Sequence, residues 1–290
     1  MPLTRLSGCK VNLLLNILGR RPDGFHDLET LFLPVPLHDD LVFEVADAGV
    51  HLTCNRTDLP VDGSNLVHRA ATRFLTAAGL ERGVRIHLEK RIPMAAGLGG
   101  GSGNAAQTLL GMNELFCFPL GATVIDALAA GLGSDINFFL QDRPALARGR
   151  GEQVAPLEPF RILSGCALLL HHPGFGISTA WAYQQLGRFP EALNGRPGRA
   201  EALAAQLTAG DLTGAMAGLY NSLEAPALEK YPILQLFQES FIRQGAIGTL
   251  MSGSGSTTFA LFSDLASAQA AVEPFQAEFG AEGWTQVVGL

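Results

Sequence analysis

The feature that most constrains this chain is a run of glycines between a predicted strand and a predicted helix. Five glycines and one serine fall between residues 97 and 103: Gly97, Gly99, Gly100, Gly101, Ser102 and Gly103. Glycine lets backbone N–H groups approach an anion closely, and the start of a helix adds positive partial charge. The whole chain is rich in glycine, with 34 among 290 residues. This segment therefore predicts a phosphate-binding loop in a chain of mixed helices and strands.

Two widespread phosphate loops do not fit the segment. The Walker pattern G-x-x-x-x-G-K-S/T is absent, because no lysine follows the glycines. The Rossmann pattern G-x-G-x-x-G/A is matched by Gly101, Gly103 and Ala106, with Asp126 further on. However, the preceding predicted strand ends near Leu88, so that a long segment separates it from these glycines, whereas the Rossmann fold needs a tight turn there. A plain flexible loop is the other alternative. Five glycines with a serine at a strand-to-helix junction favour phosphate binding over it.

Charge and cysteine content argue against several other classes. The net charge of −7 and the pI near 5.5 argue against a generic binder of nucleic acid or anionic membranes, although not against a local basic pocket. The four cysteines include no C-x-x-C pair, which favours buried, reduced thiols over structural zinc. No apolar run reaches the ~18 residues of a membrane helix. The sequence therefore predicts a cytoplasmic protein that binds neither nucleic acid polymers nor membranes.

Hydrophobic periodicity divides the chain into two parts. Strands are predicted over 10–18, 28–35, 41–46, 50–54, 84–88, 166–170, 246–251, 257–262 and 284–288. Helices are predicted over 65–78, 122–130, 179–187, 199–208, 212–223, 233–244 and 264–278, and another from the glycine-rich stretch 97–103 to about residue 115. The composition shifts near Gly149-Arg150-Gly151, which predicts a boundary between residues 150 and 165 and two lobes, 1–155 and 156–290.

Four separated segments carry a resemblance to one family. Residues 93–106 resemble the P-x-x-x-G-L-G-G/S-G/S-x-x-x-A motif of the GHMP kinases, small-molecule kinases whose glycine loop differs from the Walker loop. Residues 9–13 resemble their A-K-I/V/L-N-L motif, and residues 251–255 resemble their third, glycine-rich motif. Residues 21–32 resemble R-x-D-G-Y/F-H-x-L/I-x-S/T-L/V-F/M. That last pattern is typical of the branch that acts on a cytidine diphosphate ester of methylerythritol, and other GHMP kinases lack it.

The resemblance implies both a fold and a reaction. The expected fold is α+β with two lobes, an N-terminal ATP-binding lobe with the glycine-rich phosphate loop and a ferredoxin-like C-terminal lobe, with ATP and substrate meeting in the cleft. The expected reaction moves the γ-phosphoryl group of ATP, which arrives with Mg²⁺, to the 2-hydroxyl of 4-diphosphocytidyl-methylerythritol in non-mevalonate isoprenoid precursor biosynthesis. A monomer or homodimer is expected, with no metal site made by the protein itself.

Two alternatives to this function remain open. The first is another GHMP kinase activity, on homoserine or a mevalonate-type alcohol, which the 21–32 segment disfavours. The second is a nucleotide-binding homologue that has lost catalysis. Two departures from the family pattern support the second: Ile136-Asn137 stands where the family has V-P, and Gly103 stands where a serine is common.

Lys10 and Asp135 are the expected catalytic residues. By resemblance, Lys10 is a cation near the accepting hydroxyl and Asp135 is the base that takes its proton. A lysine beside that aspartate would also stabilise developing negative charge. From the sequence alone, Lys10 could instead be a strand-end lysine that reaches solvent, and Asp135 could cap the following turn. Asn12 lies on the same strand face as Lys10 and is expected to orient the substrate.

Aromatic residues are expected to hold the cytosine ring of the substrate. By resemblance, Phe25 stacks on the ring, His26 recognises its edge and Tyr183 completes a sandwich. Each of these residues could instead be an ordinary core or loop residue. Stacking on an aromatic face contributes roughly 1–3 kcal/mol per base in single-strand binders. The remaining substrate contacts that the resemblance implies are Thr179, Gly253 and Ser254, although residues 253–255 could also be only a hairpin turn.

The expected ATP contacts lie in the glycine loop and in two flanking segments. Asn65, Leu66 and Lys90 match family positions near the adenine. Asn65 is also a good helix N-cap, however, and Lys90 could be an exposed strand end. The expected contacts in the loop and the following helix are Pro93, Gly97, Gly99, Gly100, Gly101, Ser102, Gly103 and Asn104.

Overall fold

A computed structural model describes residues 2–193 and 195–290 of the chain. Its eleven described strands are β1 (Leu3–Arg20), β2 (His26–Ala46), β3 (Val50–Cys54), β4 (Gly83–Glu89), β5 (Ala145–Gly149), β6 (Gln153–Pro156), β7 (Ala167–His172), β8 (Tyr220–Asn221), β9 (Gly248–Met251), β10 (Thr258–Phe262) and β11 (Trp284–Gly289). Its eleven described α-helices are α1 (Leu66–Ala78), α2 (Gly100–Leu115), α3 (Ala122–Leu132), α4 (Thr179–Gln185), α5 (Pro190–Leu193), α6 (Arg199–Ala209), α7 (Leu212–Ala217), α8 (Glu224–Lys230), α9 (Ile233–Arg243), α10 (Leu265–Ala270) and α11 (Val272–Phe279).

The chain forms two compact units that are discontinuous in sequence. Unit 1 contains the residues up to Cys9, Leu37–Ile92 and Gly99–Asp142, and unit 2 contains Lys10–Pro36, Pro93–Leu98 and Arg143–Leu290. The predicted lobes 1–155 and 156–290 are contiguous, whereas the long strands β1 and β2 each supply residues to both units.

Unit 1 is a layer of strands covered by helices. In it, β4 pairs antiparallel with Asp40–Ala46 of β2 and parallel with β3. Helix α1 begins at the predicted cap, where the Asn65 side chain accepts a hydrogen bond from the Val67 N–H, and it ends at Gly79, whose φ is 62°. The apolar face of α1, which includes the fully buried Phe74, packs against α2 and α3.

Unit 2 contains a four-stranded antiparallel sheet in the order β11-β7-β10-β9. Helices intervene between β7 and β9 and between β10 and β11, which is the β-α-β-β-α-β arrangement of a ferredoxin-like lobe. The predicted ferredoxin-like lobe is therefore confirmed. Its core is aromatic: Phe237, Phe241 and Phe275 are buried and in mutual ring contact through Phe275.

Three predictions of secondary structure were wrong. The strands predicted at 28–35 and 41–46 form one strand, β2. Its pairing with β5 ends at Phe32, and its pairing with β4 starts at Asp40. Pro34 and Pro36 are tolerated within the strand because they fall between these two ladders. The helix predicted at 212–223 ends at Ala217 and is followed by β8. The helix predicted at 264–278 is split into α10 and α11 because Pro274 has no N–H to donate to the preceding turn.

Candidate active site

The Lys10 side chain of unit 2 is buried and has defined polar partners. Its exposed fraction is 2%. Its Nζ donates to the Asn12 Oδ1 over 2.6 Å and to the Gly97 carbonyl oxygen over 3.0 Å. The alternative of a strand-end lysine that reaches solvent is therefore wrong. Asn12 lies on the same strand face, as the strand periodicity predicts.

Asn12 is in turn fixed by a residue that the sequence analysis did not single out. The Asn12 Nδ2 donates to the Thr30 Oγ1 over 2.8 Å, and the Thr30 hydroxyl donates to the Leu14 carbonyl oxygen over 2.6 Å. Thr30 is 1% exposed. Because Thr30 lies inside the 21–32 segment, the S/T position of that pattern was the signal that could have found it. The Asn12 oxygen is thereby turned toward the Lys10 ammonium.

The predicted glycine loop and the predicted third motif touch each other within unit 2. Gly97 has a φ of 78°, and a Cβ at this position would overlap the Ser252 carbonyl oxygen. The Ser252 Oγ donates to the Gly97 carbonyl oxygen over 3.0 Å, and the Thr257 N–H donates to the Ala96 carbonyl oxygen over 3.2 Å. Only glycine fits this contact between two backbones.

Three of the predicted substrate-binding residues lie together around the turn at residues 252–255. The hydroxyls of Thr179 and Ser254 are hydrogen-bonded over 2.9 Å. Gly253, with a φ of 58°, lies beside Gly97, and a Cβ on Gly253 would be 3.4 Å from the Lys10 Nζ. The turn and its neighbours therefore place two hydroxyl groups and the Lys10 ammonium within a small region.

The predicted aromatic residues form two contacts rather than one stack. The rings of His26 and Tyr183 have centroids 5.0 Å apart and an interplanar angle of 38°. Phe25 is 52% exposed, and the Arg150 guanidinium lies over its ring at 4.8 Å. Burial, with a smaller contribution from Arg20, lowers the pKa of His26, so that its neutral form is favoured near pH 7. A neutral imidazole can both donate and accept a hydrogen bond, as recognition of a base edge requires.

In unit 1 the start of helix α2 offers backbone donors and carries no acidic side chain. The first N–H groups of a helix have no acceptor within the helix. Residues 100–103 carry no acidic side chain, and a Cβ on Gly101 would meet nothing closer than the Leu66 Cδ1 at 3.9 Å. Backbone donors, the helix dipole and the hydroxyl of Ser102 suit a phosphate group. The residues present therefore fit the phosphates of ATP.

Gly103 and Asn104, although predicted as ATP contacts, also have internal roles in unit 1. A Cβ on Gly103 would lie 2.5 Å from the Gly8 carbonyl oxygen, so that α2 packs directly on β1. The buried Asn104 donates through Nδ2 to the Ser7 Oγ and to the Asp39 Oδ2, each over 2.9 Å.

Lys90 is buried rather than an exposed strand end, so that alternative is wrong. Its Nζ is ion-paired with Asp39, which is 0% exposed. The Asp39 carboxylate also accepts the N–H groups of Arg91 and Ile92 over 2.7 and 2.9 Å. Asp39 was not predicted as a site residue, because its partners lie more than fifty residues away and leave no local sequence signal. Asp39 ties the end of β4 to α2.

Asp135 is half-buried in the turn between α3 and a short 3-10 helix at Asn137–Leu140. The Asn137 Nδ2 donates to the Asp126 carbonyl oxygen over 3.0 Å and to its Oδ1 over 2.6 Å. Ile136 is fully buried and αR, a conformation that a following proline would disfavour. In place of the proline of the family pattern, the Asn137 side chain thus attaches this turn to α3.

The described residues contain neither a protein metal centre nor a membrane helix. Across 2–193 and 195–290, no group of three or more His, Cys, Asp or Glu side chains is arranged to hold a metal ion. Over the same ranges, no helix has the length and apolar character needed to cross a membrane. None of the four cysteines, all of which lie within these ranges, forms a disulfide; Cys9 and Cys166 are buried as predicted, whereas Cys54 is half-buried and Cys117 is exposed.

Sequence and structure comparisons agree on the family. The GHMP kinases N terminal domain family matches residues 65–143, and the GHMP kinases C terminal family matches residues 200–281. The 4-diphosphocytidyl-2-C-methyl-D-erythritol kinase of Pelotomaculum thermopropionicum is 41% identical over 270 residues, 93% of this chain and 92% of the relative. The enzyme of the same name from Synechococcus sp. (strain JA-2-3B'a(2-13)) is 39% identical over 95% of this chain and 90% of the relative.

Solved structures are similar over nearly the whole length. A crystal structure of 4-(cytidine 5'-diphospho)-2C-methyl-D-erythritol kinase has a TM-score of 0.79 and 37% identity, covering 99% of this chain and 100% of the other. A homoserine kinase from Cytophaga hutchinsonii, at 19% identity and a TM-score of 0.74 over 99% and 93% of the two chains, shares the fold. The predicted α+β fold is confirmed, and the chain belongs to the GHMP kinases, within the family of the 4-diphosphocytidyl-2-C-methyl-D-erythritol kinases.

Proposed function

We propose that this chain transfers the γ-phosphoryl group of ATP to the 2-hydroxyl of 4-diphosphocytidyl-2-C-methyl-D-erythritol, giving the 2-phosphate and ADP. The observation that carries the proposal is its similarity to kinases of that name over more than nine-tenths of both chains. The product would enter non-mevalonate isoprenoid precursor biosynthesis. The likeness to homoserine kinase is one of fold alone and gives no reason to prefer that substrate.

Two side chains are proposed to carry the chemistry. The hydroxyl of the substrate must lose its proton as it attacks the γ-phosphorus, and the Asp135 carboxylate is proposed as the acceptor. The buried ammonium of Lys10, held by Asn12 and Gly97, is proposed to stabilise negative charge on the reacting oxygens. A cation held in place by two acceptors needs little reorganisation when the charge develops.

Binding of the two substrates is proposed to use separate sets of residues. The start of α2, from Gly99 to Ser102, would hold the phosphates of ATP, with Asn65, Leu66 and Lys90 nearer the adenine. Mg²⁺ bound with ATP would neutralise part of the phosphate charge. Phe25, His26 and Tyr183 would hold the cytosine ring, and the hydroxyls of Thr179 and Ser254 would form hydrogen bonds with the substrate. The protein is proposed to act in the cytoplasm as a monomer or homodimer.

A coupled ADP-release assay tests this function directly. With ATP, Mg²⁺ and 4-diphosphocytidyl-methylerythritol, wild type is expected to turn over, whereas Asp135→Asn is expected to lose about 10²-fold or more in kcat. Asp47→Asn, a change at an exposed aspartate of the same unit, is the matched control and should keep full activity. Homoserine and mevalonate should give no turnover, and CMP should compete with the substrate. Turnover only with another alcohol would refute the proposed substrate.

A further inference from the structure

The turn at residues 251–255 is held from outside by a buried amide. Asn221 lies at the end of β8 and is 3% exposed. Its Nδ2 donates to the carbonyl oxygens of Met251 and Gly253, over 2.7 and 2.8 Å, and its Oδ1 accepts the Leu223 N–H over 2.9 Å. Both donor positions and the acceptor of the amide are therefore used. Its two donated bonds reach the strand end and the turn at the same time.

A carboxylate on the same segment holds the other side of Met251. The Glu224 Oε1 accepts the Met251 N–H over 2.7 Å and also a hydrogen bond from the Gln238 Nε2. Met251 is the last paired residue of β9, so that its backbone passes directly from the sheet into the turn. Asn221 and Glu224 together bind its carbonyl oxygen and its N–H. We call this pair the Asn221–Glu224 clamp.

The clamped turn is in direct contact with the groups that hold Lys10. The Gly97 carbonyl oxygen accepts both the Ser252 hydroxyl and the Lys10 ammonium, each over 3.0 Å. The backbones of Gly97 and Ser252 are so close that no side chain fits between them. Since packed backbone cannot absorb a shift, a displacement of the turn would move the Gly97 oxygen relative to the Lys10 Nζ. It would also move Ser254 relative to Thr179.

We propose that the Asn221–Glu224 clamp is a positioning device for phosphoryl transfer. Neither residue is assigned a contact with the substrate; each acts through the turn on Lys10 and Ser254. The kinetic consequence of this inference rests on the proposed function. Its structural consequence is that the backbone of residues 93–98 and 252–255 is ordered, and this is independent of any substrate. Small errors in the placement of catalytic groups are costly, since a shift of about 1 Å can reduce a rate about 10²-fold.

Three variants and a control test the clamp. Asn221→Ala removes both donors to the turn, and Glu224→Ala removes the acceptor of the Met251 N–H. Glu224→Gln keeps an oxygen at the same place and serves as the conservative variant. Asn113→Ala is the control, because Asn113 makes a comparable pair of bonds to Leu120 in unit 1, over 3.0 and 3.1 Å.

We expect kcat to fall about tenfold or more in both clamp alanine variants, with KM for ATP changed by less than about threefold, because the displaced Lys10 ammonium acts mainly in the transition state. Glu224→Gln should stay within about threefold of wild type, and Asn113→Ala should lose stability without losing kcat. If Asn221→Ala does not fold, the Glu224→Ala and Glu224→Gln pair decides. Equal kcat in the clamp variants and the control would overturn the proposal.

Hydrogen exchange measured by mass spectrometry on the protein without substrates separates this inference from the proposed function. Peptides covering residues 93–98 and 252–255 should exchange faster in the clamp alanine variants than in wild type, and the control should leave them unchanged. Unchanged exchange would overturn the clamp even if the kinase activity is confirmed. Faster exchange in an enzyme without activity on the proposed substrate would instead support the clamp and reject the substrate.

Discussion

Replacement of Gly103 by alanine tests whether the loop departs from its family for a packing reason. Residues 101 and 103 lie in the first turns of the same helix, α2, within unit 1. A Cβ on Gly103 would lie 2.5 Å from the Gly8 carbonyl oxygen and 3.1 Å from the Ser7 Oγ. A Cβ on Gly101 would find its nearest neighbour at 3.9 Å, an ordinary contact. The pair thus separates a steric clash from the general effect of replacing glycine in a helix.

The expected magnitudes follow from these two environments. Alanine is favoured over glycine in a helix interior by about 0.8–1.0 kcal/mol. This gain in helix propensity is an upper limit for both positions. Overpacking against atoms that cannot move costs typically about 1–3 kcal/mol, which applies to Gly103 alone, since its neighbour is backbone. Gly103→Ala should therefore be less stable than Gly101→Ala by about 1–3 kcal/mol. For a chain of this size, that difference lowers Tm by about 2–5 °C.

Thermal and urea unfolding without ATP provide the measurement, so that loss of a nucleotide contact does not enter. Wild type, Gly101→Ala, Gly103→Ala and Gly103→Ser are compared. The serine variant, which restores the residue common in the family, should be no more stable than Gly103→Ala because it carries the same Cβ. Equal Tm values for Gly101→Ala and Gly103→Ala, or a Gly103→Ser variant as stable as wild type, would refute the argument from the Gly8 contact.

Three further predictions concern buried charges. Asp39→Ala should cost about 3–5 kcal/mol in urea unfolding, because it leaves Lys90 buried and unpaired, whereas Asp40→Ala removes only an exposed pair with Arg91 and should cost about 0–1 kcal/mol. Burial raises the pKa of Glu224 from 4.5 to about 7, so that its contribution to stability should fall by about 3 kcal/mol as pH rises from 4.5 to 7, measured as the difference between wild type and Glu224→Gln in urea unfolding. Burial lowers the pKa of His171 from 6.5 to about 4, so that its contribution to stability should fall by about 3 kcal/mol as pH falls from 6.5 to 4, which offsets the Glu224 contribution in wild type; an NMR titration of His171 should have its midpoint near 4.

The parts of the fold that the sequence predicts are those with a local cause. Helix α1 has its cap at Asn65, as predicted, and its last residue is Ala78, where the predicted range 65–78 ends; the αL residue Gly79 follows. Strand β4 agrees with the predicted alternation of residues, and helix α2 begins at Gly100, within the predicted glycine loop. In each case the information lies within about fifteen residues, which is the range over which caps, turns and periodicity act.

The parts that the sequence does not predict depend on distant partners. Asp39 reads as one of two adjacent aspartates near the middle of β2, yet it is buried because Lys90 and Asn104 converge on it. Strand β8 has two residues, and its partner is Leu14–Leu15 of β1, about two hundred residues away in sequence. The same segment supplies Asn221, so that the error in the helix predicted at 212–223 also concealed the clamp.

The two departures from the family pattern have local explanations in unit 1, and this bears on the alternative of a catalytically silent homologue. Gly103 stands where α2 meets the Gly8 carbonyl oxygen, so that a serine there would clash. Asn137 stands where the Asp126 backbone and side chain accept its amide, so that the turn next to Asp135 is attached to α3 without a proline. Each substitution is accounted for by its own contacts, and neither removes the Lys10 ammonium or the Asp135 carboxylate. The departures therefore give no support to a loss of catalysis, and the similarity over 93% of the chain to a relative named as a kinase favours a working enzyme.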